Sequence, residues 1–219
     1  MERLEQTQWT FRPPGKLFTP AVTYIIVLSI AGILLSVFLP SFTKSFLAVS
    51  AIKVIHGRIW QLVTYPFVTD SPINLMLSGI MILFVGSIIE REWKTASFVI
   101  LWLVVSMGCG LIWVIVNLLT GNDFIGAGAA GCSYGLITIM GLIFRGRKFF
   151  VFFIAVKSEY IVLILIATGI LMSITFPINL VWISGALFAY LYLKLRLRMI
   201  YGIGKRTSQK RPGGFVDID

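Results

Sequence analysis

Six stretches of almost uninterrupted apolar residues divide the chain, and polar or charged segments separate them. A helix needs about 20 mostly apolar residues to cross the hydrocarbon core of a bilayer. Five of the stretches contain no charged residue, and the sixth contains only Lys194, near its end. The pattern predicts an all-α bundle of six transmembrane helices, over residues 21–39, 73–89, 96–119, 125–144, 160–176 and 180–195.

The first connection, residues 40–72, differs from an ordinary aqueous loop. It is too polar to span a membrane, yet it contains several large apolar side chains, among them Trp60 and Tyr65. Tryptophan and tyrosine favour the headgroup region of a bilayer. We therefore predict an interfacial first loop that lies partly in the outer leaflet.

Composition supports a membrane protein. Of the 219 residues, 58% are hydrophobic and 13% are charged, against roughly 45–50% and about 25% in soluble proteins. The net charge of +10 could suggest a nucleic-acid partner, but 16 of the 19 Lys and Arg residues fall on one side of the predicted bundle. Cytoplasmic connections carry the excess of Lys and Arg. Both termini are therefore predicted to be cytoplasmic, and no nucleic-acid partner is expected.

This topology divides the chain into three parts. Residues 1–19 form a polar cytoplasmic arm, residues 20–196 form the six-helix membrane domain, and residues 197–219 form a basic cytoplasmic tail. We read no cleavable signal peptide in the polar N-terminus.

The sequence offers few groups for metal or acid–base chemistry. His56 is the single histidine, and Cys109 and Cys132 both lie in apolar runs, where a free thiol behaves as a small hydrophobic group. The carboxylates lie at span ends or in connections, without pairing. We predict neither a metal site nor a small-molecule cofactor.

Small residues are concentrated in two spans. Such residues let helix backbones approach closely in lipid. We predict that the fourth and sixth spans pack through Gly128, Gly131, Gly135, Gly185 and Ala189.

Four segments, in this order, resemble motifs of the rhomboid intramembrane serine proteases of the basic six-span bacterial form. Residues 57–67 (GRIWQLVTYPF) resemble G-x-x-W-R-L-x-T-x-x-F of the first loop, in which Trp60 and Gln61 are the predicted anchor. Residues 84–90 (FVGSIIE) resemble F-x-G-x-x-L-E of the second span. Residues 128–136 (GAAGCSYGL) resemble the nucleophile motif G-A-S-G-A-x-x-G-L. Residues 185–187 (GAL) fit the end of H-x-G-G-A-L in the last span.

The positions that carry the chemistry of that family differ here. The nucleophilic serine falls on Ala130, and the histidine that activates it falls on Trp182. The histidine and asparagine on the oxyanion side fall on Asn74 and Ser78. Alanine has no nucleophile, and an indole N–H has no basic lone pair. We therefore expect a catalytically inactive member, a pseudoprotease.

The resemblance implies a function without proteolysis. We expect the protein to bind transmembrane segments of partner proteins, as an adaptor, a chaperone or a subunit of a membrane complex. The partner-binding cleft is predicted at Asn74, Ser78, Ala130, Ser133 and Trp182. The expected location is the bacterial cytoplasmic (inner) membrane.

Two alternatives stay open. One is a protease or hydrolase with a divergent site, because residues 131–135 read G-C-S-Y-G and offer Ser133 or Cys132 as nucleophile. A nucleophilic serine needs an adjacent base, and the spans contain no histidine. The other alternative is a channel or transporter component, although such proteins place ionisable groups within the membrane.

Overall fold

The structure is a computed structural model, and it describes residues 18–69, 71–144, 148–151, 154–175 and 180–208. Most of these residues are helical, in six long helical segments joined by shorter elements. In chain order the elements are α1 (Pro20–Phe38), α2 (Pro40–Phe46), α3 (Ala51–Ile55), α4 (Gln61–Thr64), a 3-10 turn (Tyr65–Phe67), α5 (Pro72–Met81), a π turn (Ile82–Gly86), α6 (Ser87–Trp93), α7 (Thr95–Thr120), α8 (Ala130–Ile143), β1 (Lys148–Val151), β2 (Ile154–Lys157), α9 (Ser158–Thr175) and α10 (Leu180–Ser208).

Local sequence sets several helix ends. Pro20 and Pro72 lie in the first turns of α1 and α5, where the missing N–H of proline removes no helical hydrogen bond. The hydroxyl of Ser71 accepts a hydrogen bond from the backbone N–H of Asn74 and so caps α5. The third span ends at Gly121, whose φ of 67° is left-handed, a conformation that glycine adopts without strain.

Three of the described helical segments are long and apolar enough to cross a membrane: Pro20–Phe38, Pro72–Trp93 and Thr95–Thr120. Two shorter apolar helical stretches, Ala130–Ile143 and Val162–Leu171, accompany them. The prediction of a mostly helical protein with membrane helices is confirmed. The count of six spans stays a prediction.

One predicted helix start was wrong. The fourth span was predicted to begin at residue 125, but α8 begins at Ala130 because residues 125–129 form an extended turn. The division between the membrane domain and the basic tail, at residue 197, stays a prediction, and α10 continues across it through Ser208. Most of the predicted N-terminal arm, residues 1–17, lies outside the described residues.

A small antiparallel hairpin was not predicted. Strands β1 and β2 lie in the fourth connection and pair Lys148 with Lys157 and Val151 with Ile154. The segment was predicted only as the connection between the fourth and fifth spans.

Close backbone contact joins α8 to α10. A Cβ atom added to Gly135 would lie 3.0 Å from the carbonyl oxygen of Gly185, and one added to Gly131 would lie 3.5 Å from that of Val181. Both pairs are separated by the same number of residues, so the two helices run parallel. Ala189 is fully buried further along α10.

The predicted packing role of Gly128 was wrong. A Cβ atom there would meet nothing within 4 Å, and its φ of 107° places it in the turn before α8. Glycine is needed here for its backbone conformation.

The burial of side chains changes along the second span. No residue of α5 is buried, whereas Ile82, Val85, Ile89 and Glu90 are buried from the π turn onwards. Single π turns inside α-helices occur frequently at functional sites. The first half of this span is therefore less closely packed than its second half.

Glu90 connects the second span to the start of the first. Its carboxylate is 3% exposed and accepts hydrogen bonds from the backbone N–H groups of Ala21 (3.0 Å) and Val22 (3.1 Å), and from the hydroxyls of Thr19 and Thr95. A negative charge at a helix N-terminus is stabilising. Glu90 thus caps α1 from a distant part of the chain.

The contacts define two ends of the bundle. At one end the first loop pairs with the connection between α7 and α8, through a bridge between Val49 and Gly126. At the other end Trp93 packs against Tyr192 and Arg196 of α10. The parallel course of α8 and α10 places the end of α8, and the hairpin that follows, at this second end. We call it the basic end, because Arg91, Lys94, Lys194, Arg196 and Arg198 lie there.

Candidate functional site

Gln61 organises the first loop. Its side chain is fully buried, and its amide donates to the carbonyl oxygen of Ser45 (3.0 Å) and accepts from the backbone N–H of Ser50 (3.3 Å). Arg58 donates to the same Ser45 oxygen (2.9 Å). The neighbouring Trp60 is half exposed and donates its indole N–H to the carbonyl oxygen of Phe46 (3.0 Å). Both predicted anchor residues therefore hold the loop against its own earlier turn.

The first loop is also fixed to the bundle. The hydroxyl of Tyr65 donates to the carbonyl oxygen of Ser106 (3.2 Å), and that of Ser106 donates to the carbonyl oxygen of Leu62 (2.9 Å). Burial raises the pKa of Tyr65 well above its usual range, so the phenol stays protonated and keeps its donor. The first loop is therefore tied to α7 by two reciprocal hydrogen bonds.

The turn that leads into α8 rests on this loop. The backbone N–H of Gly128 donates to the carbonyl oxygen of Tyr65 (3.0 Å), and the Val49–Gly126 bridge contributes two more backbone hydrogen bonds. The hydroxyl of Ser50 donates to the carboxylate of Asp123 (3.0 Å). The position of Ala130, the first residue of α8, is thus set by the loop.

A cavity of about 520 Å³ opens between α1, α5, the turn before α8, α8 itself and the start of α10. All five residues of the predicted cleft line it: Asn74, Ser78, Ala130, Ser133 and Trp182. Asn74 and Ser78 lie one turn apart on α5, and Ala130 and Ser133 lie one turn apart on α8. Helical spacing therefore places each pair on one face, and the fold brings the two faces together.

The wall of the cavity is mostly apolar. Ile26, Leu75, Met81, Ile137 and Leu165 contribute hydrocarbon surface from four helical segments. Trp182 is half-buried, and its ring centroid lies 6.1 Å from that of Tyr134. The two aromatic rings line the cavity together, one from α8 and one from α10.

Ser133 is not arranged as a nucleophile. Its hydroxyl is 7% exposed and donates to the carbonyl oxygen of Ala129 (3.0 Å), a bond typical of serine within a membrane helix. Among the described residues that line the cavity, none carries an imidazole, amine, carboxyl or thiol group. A base that could take the proton of Ser133 is therefore missing from this part of the wall.

The other candidate groups lie elsewhere. Cys109 and Cys132 are buried free thiols outside the cavity lining. His56 is exposed at the end of α3, with Nδ1 2.7 Å from the carbonyl oxygen of Ile52. Within the described residues, no group of three or more His, Cys, Asp or Glu side chains could hold a metal ion.

Three polar residues outside the predicted cleft also line the cavity: Ser29, Thr69 and Tyr134. Ser29 is a hydroxyl inside the first apolar stretch, and it donates to the carbonyl oxygen of Ile25 (2.9 Å). A polar residue in an otherwise apolar span was the available signal. The sequence could not show that α1 forms part of the wall.

The sequence model of the Rhomboid domain matches residues 56–199, which is well over half of the chain. The chain belongs to the rhomboid family. The matched segment runs from the end of α3 through most of α10, so it includes the cavity walls contributed by α5, α8 and α10. Comparison with curated proteins finds no match. This rhomboid therefore has the family's membrane domain, with alanine and tryptophan at the positions that the motif resemblance assigns to nucleophile and base.

Proposed function

We propose that this rhomboid is a pseudoprotease whose cleft binds a transmembrane segment of another membrane protein without cleaving it. The observation that carries the proposal is the cavity between α5, α8 and α10. Its described wall is apolar, with a few amide and hydroxyl groups and no nucleophile–base pair. Such a wall suits a helix of apolar residues with an occasional polar side chain.

The polar groups on the wall suit recognition of a helix. Side chains such as Asn74 and Ser78 form hydrogen bonds between helices in a membrane, worth roughly 0.6–2 kcal/mol each. Both lie on α5, the part of the second span that has no buried residue. A partner helix seated against α5 would cover this face. Binding would therefore complete the packing of the second span.

The charge distribution supports a particular orientation. The basic end carries most of the described Lys and Arg residues outside the first loop. By the positive-inside rule, this end faces the cytoplasm and the first loop faces the opposite side. We place the protein in the bacterial cytoplasmic membrane with both termini in the cytoplasm, acting there as an adaptor, a chaperone or a subunit of a complex.

Site-specific photocrosslinking tests the proposal. A photoreactive phenylalanine at Trp182 would capture a helix in the cleft, and the same residue at Leu187 provides the matched control. Leu187 lies on the same helix and is 53% exposed. We expect a defined membrane protein to crosslink at position 182 and not at position 187. A synthetic peptide of the captured protein's own transmembrane segment should compete with it.

Two outcomes would reject the proposal. Equal crosslinking at positions 182 and 187 would indicate random collision in the membrane. Cleavage of the captured protein, abolished by Ser133→Ala or Cys132→Ala, would establish the divergent enzyme instead.

A further inference from the structure

The turn between α6 and α7 carries a cation in a strained backbone conformation. The helical segments Pro72–Trp93 and Thr95–Thr120 are each long and apolar enough to cross a membrane, so Lys94, the residue between them, lies at the membrane surface. Its φ of 69° and ψ of 153° fall in a region that essentially only glycine adopts, and its side chain is exposed. Strain of this kind is concentrated at ligand clamps and other functional sites.

A second cation lies beside this turn. The guanidinium carbon of Arg196 lies 4.1 Å from the centroid of the Trp93 ring, and the centroid of the Tyr192 ring lies 6.1 Å from that of Trp93. The hydroxyl of Tyr192 donates to the carbonyl oxygen of Ser97 (3.2 Å), in the first turn of α7. Because Arg196 follows Tyr192 by one helical turn on the same face of α10, it lies closer to the basic end, next to the residues that precede α7.

The hydrogen-bonding capacity of this guanidinium is not fully used. The Nη1 atom of Arg196 is buried and has no hydrogen-bond partner, although the side chain as a whole is partly exposed. A buried donor without an acceptor costs free energy, and more so on a charged group. The nearby carboxylates do not supply the acceptor, since Glu90 accepts from α1 and from Thr95, and the exposed Glu92 forms no ion pair with another described residue. An anion that reaches the guanidinium from the surface would supply it.

The surroundings of Arg196 suit a lipid head group better than a soluble anion. Trp93, whose ring contacts both the guanidinium and Tyr192, belongs with tyrosine to the residue types that favour the headgroup region of a bilayer. Leu195 and Leu197, on either side of Arg196 in the sequence, are exposed and can contact acyl chains. Basic pockets between transmembrane helices bind the head groups of anionic phospholipids.

We propose that Arg196 and Lys94 form a binding site for the phosphate of an anionic phospholipid in the leaflet at the basic end. The guanidinium and the ammonium bind the phosphate from two sides, and the acyl chains lie along the exposed apolar side chains of α10. The bound lipid joins the turn between α6 and α7 to α10. The site is separate from the cleft, so the proposal holds whether or not the cleft binds a partner helix.

Native mass spectrometry of the full chain tests the site. Retention of phosphatidylglycerol would be compared with retention of phosphatidylcholine by the wild type, by Arg196→Gln and by Arg198→Gln. Arg198 is the matched control, because it is exposed on the same helix and its loss changes the net charge equally. We expect Arg196→Gln to lose about fivefold in preference for phosphatidylglycerol, the contribution of one cation near an anionic surface. Arg198→Gln should keep the preference of the wild type.

Lys94→Gly separates lipid binding from folding. Glycine adopts the backbone conformation of residue 94 without strain, so this variant should unfold at a higher fraction of sodium dodecyl sulfate in mixed micelles than the wild type. Its preference for phosphatidylglycerol should nevertheless fall about fivefold. This variant also tests the site if Arg196→Gln does not fold. Excess inorganic phosphate should not displace phosphatidylglycerol from the wild type, because it has no acyl chains.

Three results would overturn the proposal. Equal lipid preference in Arg196→Gln and Arg198→Gln would show that the guanidinium on Trp93 binds no particular phosphate. An unchanged preference in Lys94→Gly would show that the strained lysine is not a ligand of the lipid. Displacement of phosphatidylglycerol by inorganic phosphate would show that the site binds a soluble anion.

Discussion

Replacing Gly185 by alanine should weaken the bundle through one backbone contact. A Cβ atom at this position would lie 2.8 Å from the carbonyl carbon of Gly131, with the carbonyl oxygen nearer still. Carbon atoms pack best at about 3.5 Å. The backbones of α8 and α10 must therefore separate by at least about 0.7 Å, because a backbone carbonyl cannot rotate away as a side chain can.

The cost follows from the lost attraction across the interface. A separation of about 0.5–1 Å removes a quarter to a half of each contact energy of ~0.1–0.2 kcal/mol. If the number of affected atom pairs equals that made by one buried leucine, roughly 40–60, the loss is about 2 kcal/mol. This value lies within the ~1–3 kcal/mol expected for overpacking a core. The unfolding equilibrium should shift by about thirtyfold.

Gly79→Ala is the matched control. Gly79 is also helical, but a Cβ atom there would meet nothing within 4 Å, so the substitution should stabilise the chain by ~0.4–1 kcal/mol. Unfolding would be followed by circular dichroism as the fraction of sodium dodecyl sulfate in mixed micelles increases. If Gly185→Ala unfolds at no lower fraction of sodium dodecyl sulfate than the wild type, the close contact is refuted. An equal loss of stability in Gly185→Ala and Gly79→Ala would also refute it.

Three further variants test other parts of the structure. Glu90→Ala should lower the free energy of unfolding by at least ~3 kcal/mol, the value of two hydrogen bonds to a charged group. Glu92→Ala, which changes an exposed neighbour, should alter that free energy little. Equal effects of the two variants in the same unfolding assay would contradict the capping role. Gln61→Leu should cost ~1–3 kcal/mol because the backbone N–H of Ser50 loses its buried acceptor, and unchanged unfolding would show that the first loop does not depend on it. The third variant, Ala130→Ser/Trp182→His, is compared with the same variant carrying Asn74→His and Ser78→Asn in addition. The double variant should cleave a transmembrane substrate at least ~100-fold more slowly, because oxyanion stabilisation is worth that much. Equal cleavage rates in a gel assay would show that α5 contributes nothing to such a site.

Motif resemblance located the residues of the predicted cleft, and helical periodicity explains why the members of each pair lie together. Asn74 and Ser78 are four residues apart, and Ala130 and Ser133 are three apart, so each pair lies on one helix face wherever the helix is placed. Motif resemblance then indicated which two faces meet. The place of Ser29 in the cavity wall was not predicted, because neither periodicity nor motif shows which transmembrane helix lies next to the cleft.

Other features depend on contacts that the pattern of residue types does not encode. The π turn at Ile82–Gly86 is a local change of hydrogen bonding within an apolar run, and nothing in its composition separates it from the α-helix on either side. The start of α8 was misplaced because residues 125–129 are apolar, yet pair with the first loop. The hairpin was missed because eight apolar residues are too few for a span, although their aromatic and β-branched types favour strands.

The cap that Glu90 provides has a consequence for the order in which the chain matures. Ala21 and Glu90 are 69 positions apart, and a ribosome adds about 5–20 residues each second. For roughly 3 to 14 seconds after Ala21 is added, the chain therefore lacks the carboxylate that completes the N-terminus of its first helix. A nascent chain that stops before residue 90 therefore lacks the acceptor for the backbone N–H groups of Ala21 and Val22.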